Sequence, residues 1–197
     1  MEPGWSPRDY DDEEDEEAED LLFPAARLYD QVVSGGSLQP IATSVRMGAG
    51  ESAYADDMME CSRYYALDGY LHERPASYLS PTDLIGSAIR NQSSRKAAEG
   101  QWRDTHVTRV VLTNQRLLVS FEGRWLSFWH KTIAEFLPAP VDFCLILTCH
   151  DAAPLRLRGP TAASTAVALA SLLYSPEQMA RIPEFARFDA TAGEGDS

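Results

Sequence analysis

A run of short alternating segments between residues 107 and 158 constrains the fold more than any other feature of this chain. Segments 107–112 and 117–121 are rich in β-branched and aromatic residues, which suit a pleated, half-buried surface. Asn114 lies in the turn between them, and Gly123 in the next turn, where glycine tolerates the positive φ of a hairpin loop. Such short turns predict an antiparallel meander and not a series of strands alternating with helices.

Further strands are predicted at residues 124–129, 132–137, 143–149 and 155–158. Residues 143–149 are almost continuously apolar, which predicts a central strand that is covered on both faces. Residues 155–158 alternate leucine with arginine, which predicts an edge strand or a strand that is buried on one side only.

A helix is predicted at residues 162–174, with Thr161 as its N-cap. The segment is apolar nearly all round, so it must be covered on more than the side that meets the sheet. It is shorter than the ~20 residues that cross a bilayer. Residues 175–178 (Ser-Pro-Glu-Gln) have the pattern of a capping box that starts another short helix before Pro183.

Residues 110–136, together with the apolar strand, the sequence APLRLRG and the terminal helix, resemble bacterial GRAM/PH-like domains. The chain also resembles uncharacterised actinobacterial proteins that share the Arg-Trp-Leu-Ser-Phe sequence of residues 124–128. The resemblance covers roughly residues 50–183. It implies an α+β, mainly β fold in which a C-terminal helix closes a bent antiparallel sheet, and it brings no catalytic residues. To this fold the chain adds an N-terminal helix and a helical insert at residues 73–101.

The charge divides the chain into regions. Residues 1–20 carry eleven acidic side chains and one arginine, which predicts a disordered acidic tail. An N-terminal helix and linker are expected at residues 21–49, the PH/GRAM-like domain at 50–183, and a disordered C-terminal tail at 184–197. Residues 85–131 hold eight basic and three acidic side chains. The acidic tail therefore either aids solubility or docks on a basic region, in the same chain or in a partner.

Apolar residues recur at helical spacing in residues 21–33, with Pro24 expected in the first turn. One interpretation packs this helix on the domain, over the exposed side of the C-terminal helix. The other makes it a linear motif that inserts into a groove of a partner protein. In the second interpretation the contacts are made by Leu21, Leu22, Leu28 and Tyr29.

A second amphipathic helix is predicted to begin at Ser80 within the insert. It begins apolar and becomes basic, which fits either ordinary packing by its first two turns or a membrane-surface role. The candidate residues for an anionic ligand are Arg90, Arg95, Lys96 and Arg103.

Strand alternation in residues 124–130 projects Trp125 and Trp129 to one face and Leu126 and Phe128 to the other. Exposed tryptophans that are flanked by the cations Arg124 and Lys131 have the composition of a protein-contact hot spot. The alternative is that the N-terminal helix or the insert covers both indoles.

The sequence offers little for catalysis. Cys149 and His150 are neighbours, so a strand would point them to opposite faces. His106 and His130 are expected to approach across strands, but no Cys or carboxylate has the spacing of a metal site. Asp56, Asp57 and Glu60 are assigned to a helix or turn and lack a partner motif. We therefore expect no enzymatic activity, no cofactor and no bound metal.

An odd count of three cysteines argues against a disulfide framework, so a cytoplasmic location is expected. The leading functional hypothesis is a PH-like module that binds another protein, as a monomer or weak oligomer. The alternatives are a peripheral domain that binds anionic lipid, and a regulator that sequesters a basic partner through residues 9–33. Nucleic-acid binding is not expected, because the net charge of −13 repels polyanions.

Overall fold

The computed structural model describes the backbone of residues 8–65 and 101–191, and the side chains of residues 19–65 and 101–188. Seven strands are present in these ranges: β1 Ala53–Tyr65, β2 Gln101–Thr113, β3 Arg116–Phe121, β4 Arg124–Trp129, β5 Ile133–Ala139, β6 Cys144–Cys149 and β7 Ala152–Arg158. The α-helices are α1 Arg8–Val33, α2 Ala162–Leu173, α3 Pro176–Met179 and α4 Ala186–Thr191.

The strands form one antiparallel sheet in the order β4-β3-β2-β1-β7-β6-β5. This confirms the mainly β, α+β class and the antiparallel strands. The single predicted meander is wrong, because β1–β4 and β5–β7 form two meanders joined through β1 and β7, and β4 and β5 lie at opposite edges of the sheet. The turn between β3 and β4 consists of Glu122 and Gly123, with φ of 47° and 75°. Positive φ at both central positions defines a type I′ turn, whose twist matches that of the strands.

One face of the sheet, here called the inner face, carries the main hydrophobic core. Leucines and valines from β2, β3, β6 and β7 are fully buried there against Ala166 and Leu169 of α2. The opposite side of α2 packs on α1, where Tyr29 is 1 % exposed. The nearly all-apolar α2 is thus buried between the sheet and α1. This confirms the interpretation in which the N-terminal helix packs on the domain.

The ends of the C-terminal helices follow their predicted capping patterns in part. Thr161 stands at the N-cap of α2, but its side chain makes no capping hydrogen bond. The capping box before α3 is confirmed, because Ser175 accepts a bond from the Gln178 backbone and the Gln178 side chain accepts one from the Ser175 backbone.

Helix α1 is longer than the sequence analysis expected. It begins at Arg8, so residues 8–20 are helical where a disordered acidic tail was expected. Glutamate is a good helix former, and acidic side chains near a helix N-terminus interact favourably with the helix dipole. Pro24 therefore lies inside the helix and not in its first turn. Residues 1–7 lie outside the described part of the chain.

The C-terminal segment also differs from the expectation. Residues 184–197 were expected to be disordered, but a 3-10 turn at Pro183–Phe185 leads into α4. Phe185 and Phe188 are buried and their rings lie within 6 Å of the Tyr29 ring, at 5.7 and 5.6 Å. Two buried aromatic rings give this short segment the apolar contacts that hold it on the domain. Residues 192–197 lie outside the described part.

Strand β1 corrects the assignment of Asp56, Asp57 and Glu60 to a helix or turn. These acids belong to a strand that runs antiparallel to β2 over thirteen residues. Tertiary pairing with β2 and β7 outweighs the low strand propensity of acidic residues. The helix predicted from Ser80 lies outside the described residues, and Gln101, the last residue of the predicted insert, begins β2.

Two predictions about strand position need refinement. The segment 155–158 is one-sided as predicted, but β7 is interior, because β1 and β6 pair with its two sides. Strand β6 is interior as predicted, and its buried leucines face the inner core. The edges of the sheet in the described residues are β4 and β5.

The segment 41–51, here called the strap, covers part of the second face of the sheet, the outer face. Val45 and Met47 of the strap pack on the buried side chains of Val111 and Leu118. Polar side chains then fasten the strap at both ends, through Asp56 and Arg109 near its start and through Glu51 and Arg116 at its end.

Candidate protein-binding surface

Strand β4 presents alternate side chains to the two faces, as its sequence predicts. Phe128 is 3 % exposed and lies in the inner core, whereas Trp125 is 39 % exposed on the outer face. Arg124 and Ser127 are exposed and Trp129 is half-buried. Helix α1 does not cover this strand, because its contacts are with α2 and the C-terminal helices. The N-terminal helix is therefore excluded as the cover of the two indoles.

Trp129 is fixed between two cations. The guanidinium of Arg116 lies 4.8 Å from the centroid of the Trp129 ring, and the ammonium of Lys131 lies 5.9 Å from it. Both distances are within the range of a cation–π interaction. Arg116 also donates to Ser127 Oγ at 3.0 Å, so the outer side of β4 is tied to β3 through one arginine.

Arg116 is itself held by a buried carboxylate. Its Nε and Nη2 donate to the two oxygens of Glu51 at 2.8 and 2.9 Å, a bidentate pair. Thr113 Oγ1 and the Gly48 backbone N–H also donate to Glu51. The hydrogen bond from Arg116, followed by those from Gly48 and Thr113, lowers the pKa of Glu51 to about 2. The side chain that orients Trp129 is therefore locked to the strap.

A row of outer-face residues crosses four strands beside the strap. Met58 pairs with Arg109, and Trp125 pairs with Ser120. The pairing of Val110 with Val119 places Arg109 next to Ser120, so the row runs from β1 to β4. Its two ends are apolar and exposed, with Met58 at 59 % and Trp125 at 39 %. We call this set the Met58–Trp125 row.

The centre of the row is polar and ordered. Arg109 donates through Nε and Nη2 to the carboxylate of Asp56, both at 2.6 Å, and through Nη1 to Ser44 at 2.9 Å. The hydrogen bond from Arg109 holds the pKa of Asp56 below its usual range, with Thr43 adding to the effect. The stem of Arg109 therefore stays in place between two apolar ends, as a preorganised contact surface requires.

The residues proposed on α1 are mostly unavailable to a partner. Leu22 is 6 % and Tyr29 is 1 % exposed, both in the cluster between α1 and α2, and Leu28 is half-buried. Leu21 is exposed, at 44 %. The apolar side of this helix is used inside the molecule, which argues against its insertion into a partner's groove.

The residues proposed for an anionic ligand are described only in part. Arg103 lies on β2, where its Nε donates to the Tyr65 backbone oxygen at 3.2 Å. Arg90, Arg95 and Lys96 lie outside the described residues. The described residues therefore do not test whether the four proposed cations lie close together.

The candidate groups for catalysis are not brought together. His106 packs on Phe121 at the turn end of the β3–β4 hairpin, whereas His130 follows Trp129 at the opposite end. Burial lowers the pKa of His130 to about 4 and raises the pKa of the Cys61 thiol to about 11. Within the described ranges, no three His, Cys, Asp or Glu side chains are grouped as metal ligands.

A cavity of about 250 Å³ lies beside the start of α2, lined in part by Asp57, Thr161 and Thr165. Burial, and then the charge of Asp56, raises the pKa of Asp57. The hydroxyl groups of Thr161 and Thr165 are buried without a hydrogen-bond partner. These three side chains are polar, but no nucleophile and base are paired there.

Comparison of the chain with protein-family models and with curated proteins finds no match in either. In the part of the chain that the structure describes, no helix combines the length and apolar character needed to span a membrane.

Sequence reasoning found Trp125 and Trp129 but missed the residues that complete the surface. Met58 was missed because β1 was not recognised, and the roles of Arg109 and Arg116 depend on acids more than fifty positions away. Only the alternation of Asp56, Met58 and Glu60 along residues 53–65 could have indicated an outer strand face here.

Proposed function

We propose that this chain is a non-enzymatic, PH-like module that binds another protein through the Met58–Trp125 row. The observation that carries the proposal is the pair of exposed apolar ends, Met58 and Trp125, on a face whose centre is held rigid by ion pairs. The row combines a large exposed aromatic side chain with an ordered arginine, and these residue types dominate protein-contact energies.

The fold supports the PH-like part of the proposal. An antiparallel sheet made of two meanders precedes a C-terminal helix, and that helix covers the inner face of the sheet. This is the arrangement implied by the resemblance of residues 110–136 and of the segments after them. It leaves the outer face and its edges for contacts with other molecules.

The three buried cysteines support a reducing, cytoplasmic setting for the module. Cys61, Cys144 and Cys149 account for every cysteine in the chain, and none forms a disulfide. Burial raises the pKa of each thiol, so each acts as a small apolar side chain and not as a nucleophile.

The test is affinity capture from a bacterial extract with the full chain and two variants. Trp125→Ala should abolish or strongly reduce the captured protein, because it removes the largest exposed side chain of the row. Leu137→Ala is the matched control, since Leu137 is 50 % exposed on β5, at the opposite edge of the sheet. Equal capture by the full chain and by both variants would exclude the row as the binding surface.

The two alternatives need separate arms. Anionic-lipid binding through Arg103, Arg90, Arg95 and Lys96 predicts co-sedimentation with anionic vesicles that weakens as salt rises. Sequestration of a basic partner predicts that deletion of residues 1–20 changes the captured set, because the apolar half of α1 is already buried against α2. Capture that depends on Trp125 but not on this deletion supports the proposed function.

A further inference from the structure

The two edges of the sheet differ in how they are protected. Strand β5 contains Pro138, which has no N–H, and its pairing with β6 is interrupted by an irregularity between Ile133 and Glu135. Proline and bulges are the devices with which proteins block an edge from pairing with another strand. Strand β4 has neither. Its six residues pair with β3 in unbroken register, and in the described residues no strand pairs on its other side.

The type I′ turn fixes which backbone groups of β4 point away from β3. In a two-residue hairpin loop the flanking residues, here Phe121 and Arg124, form a hydrogen-bonded pair. The backbone N–H and C=O groups of Leu126 and Phe128 then also point to β3. The backbone groups of Trp125, Ser127 and Trp129 point outward. The backbone oxygens of Arg116 and Ser120 accept from the side-chain hydroxyls of Thr113 and Thr108 on β2, so they point towards β2 as this alternation requires.

We propose that a second copy of this chain pairs with the outward edge of β4, with β4 antiparallel to the partner's β4 and Ser127 on the two-fold axis. This inference goes beyond the proposed function and does not depend on it. With Ser127 on the axis, Trp125 lies opposite the partner's Trp129. The residues whose backbone N–H and C=O groups point outward therefore lie opposite one another. All three pairs are then hydrogen-bonded pairs of an antiparallel ladder.

The side chains are self-complementary in the same register. Trp125 and the partner's Trp129 lie on one face as a cross-strand aromatic pair, which stabilises antiparallel sheets. Glu122 comes beside the partner's Lys131 at each end of the paired strands, and the exposed Arg124 of its own turn is close to it in sequence. A C2 interface requires such self-complementarity of one surface patch. The outer faces of the two sheets would become continuous.

The test compares three forms of the full chain by sedimentation velocity over a range of concentrations. The unmodified chain should reach twice its 21.8 kDa mass. Ser127→Pro removes the outward N–H in both copies, so the two hydrogen bonds of the Ser127 pair are lost and association should weaken by at least about tenfold. Ser127→Ala loses the bond from Arg116 to the Ser127 hydroxyl but keeps the N–H, so it should still dimerise.

A charge exchange tests the register without altering the backbone of β4. Glu122→Lys and Lys131→Glu should each weaken the dimer, and the double variant should restore it. Amide exchange at Ser127 should slow as the concentration of the unmodified chain rises. A monomer at every concentration would overturn the proposal. If the Ser127 amide is nevertheless protected in that monomer, another part of the same chain covers the edge.

Discussion

The inner and outer faces of the sheet are covered by different kinds of contact. On the inner face, a helix with almost no polar side chains covers leucines and valines. On the outer face, the strap covers a small cluster of Ala53, Val111 and Leu118 and is fastened by two carboxylate–arginine pairs. Apolar burial is non-directional, whereas a bidentate ion pair fixes orientation. On the outer face, directional hydrogen bonds therefore set side-chain positions, including that of Trp129 through Arg116.

The largest effect is expected from the inner face. Leu145 is fully buried under α2, so Leu145→Ala should lower the free energy of unfolding by about 2–5 kcal/mol through lost burial and the cavity left behind. Chemical denaturation measures this change. Val107→Ala is the control, because Val107 is 67 % exposed and should change stability by less than about 0.5 kcal/mol. Similar losses in both variants would contradict the assignment of the inner face as the core.

The next effect concerns the outer face. Glu51→Gln keeps the size of the side chain but removes the charge that pairs with Arg116, and should cost about 2–4 kcal/mol. The loss should come with increased mobility of the Trp129 indole, since Arg116 loses its anchor. Because the chain has four tryptophans, NMR relaxation of the Trp129 indole N–H measures that mobility. Glu135→Gln is the control, because Glu135 is exposed on β5 at the opposite edge of the sheet, and neither stability nor the mobility of Trp129 should change.

The ion pair between Glu51 and Arg116 also makes the stability of the protein depend on pH in the acid range. Because the pKa of Glu51 falls from 4.5 to about 2 on folding, its contribution to stability is complete above pH 4.5 and is lost as the pH falls towards 2. The difference corresponds to about 3 kcal/mol. Unfolding midpoints measured between pH 6 and pH 2 should show this slope in the unmodified chain and a smaller one in Glu51→Gln.

His130 supplies a separate test at higher pH. Burial lowers its pKa from 6.5 to about 4, so the unfolded chain takes up a proton in a range where the folded chain does not. Stability should therefore fall as the pH drops from 6.5 to 4, above most of the window in which Glu51 acts. His130→Phe should remove this slope and leave the Glu51 slope unchanged. A slope that persists in His130→Phe would assign it to another group.

The smallest effect is expected at the start of the strap. Asp56 pairs with Arg109, whose side chain is 36 % exposed, and pairs near the surface contribute about 1 kcal/mol or less. Asp56→Asn should lower stability by no more than that amount, but it should loosen Arg109 at the centre of the Met58–Trp125 row. The free energy of binding to the captured partner should fall by more than the free energy of unfolding does. Equal effects on both would make the pair purely structural.

The sequence predicts the part of the fold in which alternation is regular and turns are marked. Six of the seven strands and α2 follow from local patterns. Most of these strands alternate apolar with polar residues, whereas β6 and α2 are nearly continuous apolar segments bounded by turn or cap residues. The sequence does not reveal β1, because Asp56, Asp57 and Glu60 owe their strand conformation to neighbours far along the chain. The helical part of α1 before residue 21 was missed because its charge density favoured disorder.

Only half of the candidate surface could be predicted from the sequence. The alternation of β4 identifies Trp125 and Trp129, whereas their rigidity depends on Glu51 and Arg116, which are 65 residues apart. Pairings at that separation are decided by the fold and leave no local pattern. Four contact residues were predicted on α1 from its apolar stripe, but the sequence does not show what that stripe packs against. In the structure, Leu22 and Tyr29 are buried within the molecule.

The long ladder between β1 and β2 has a consequence for how this protein can diversify. Its last rung joins Tyr65 to Gln101, so the chain leaves the sheet and re-enters it at facing positions. Whatever length of polypeptide joins two such positions, the seven strands keep their order and spacing. Descendants of one ancestral gene can thus exchange the residues between those two positions without having to evolve a new scaffold.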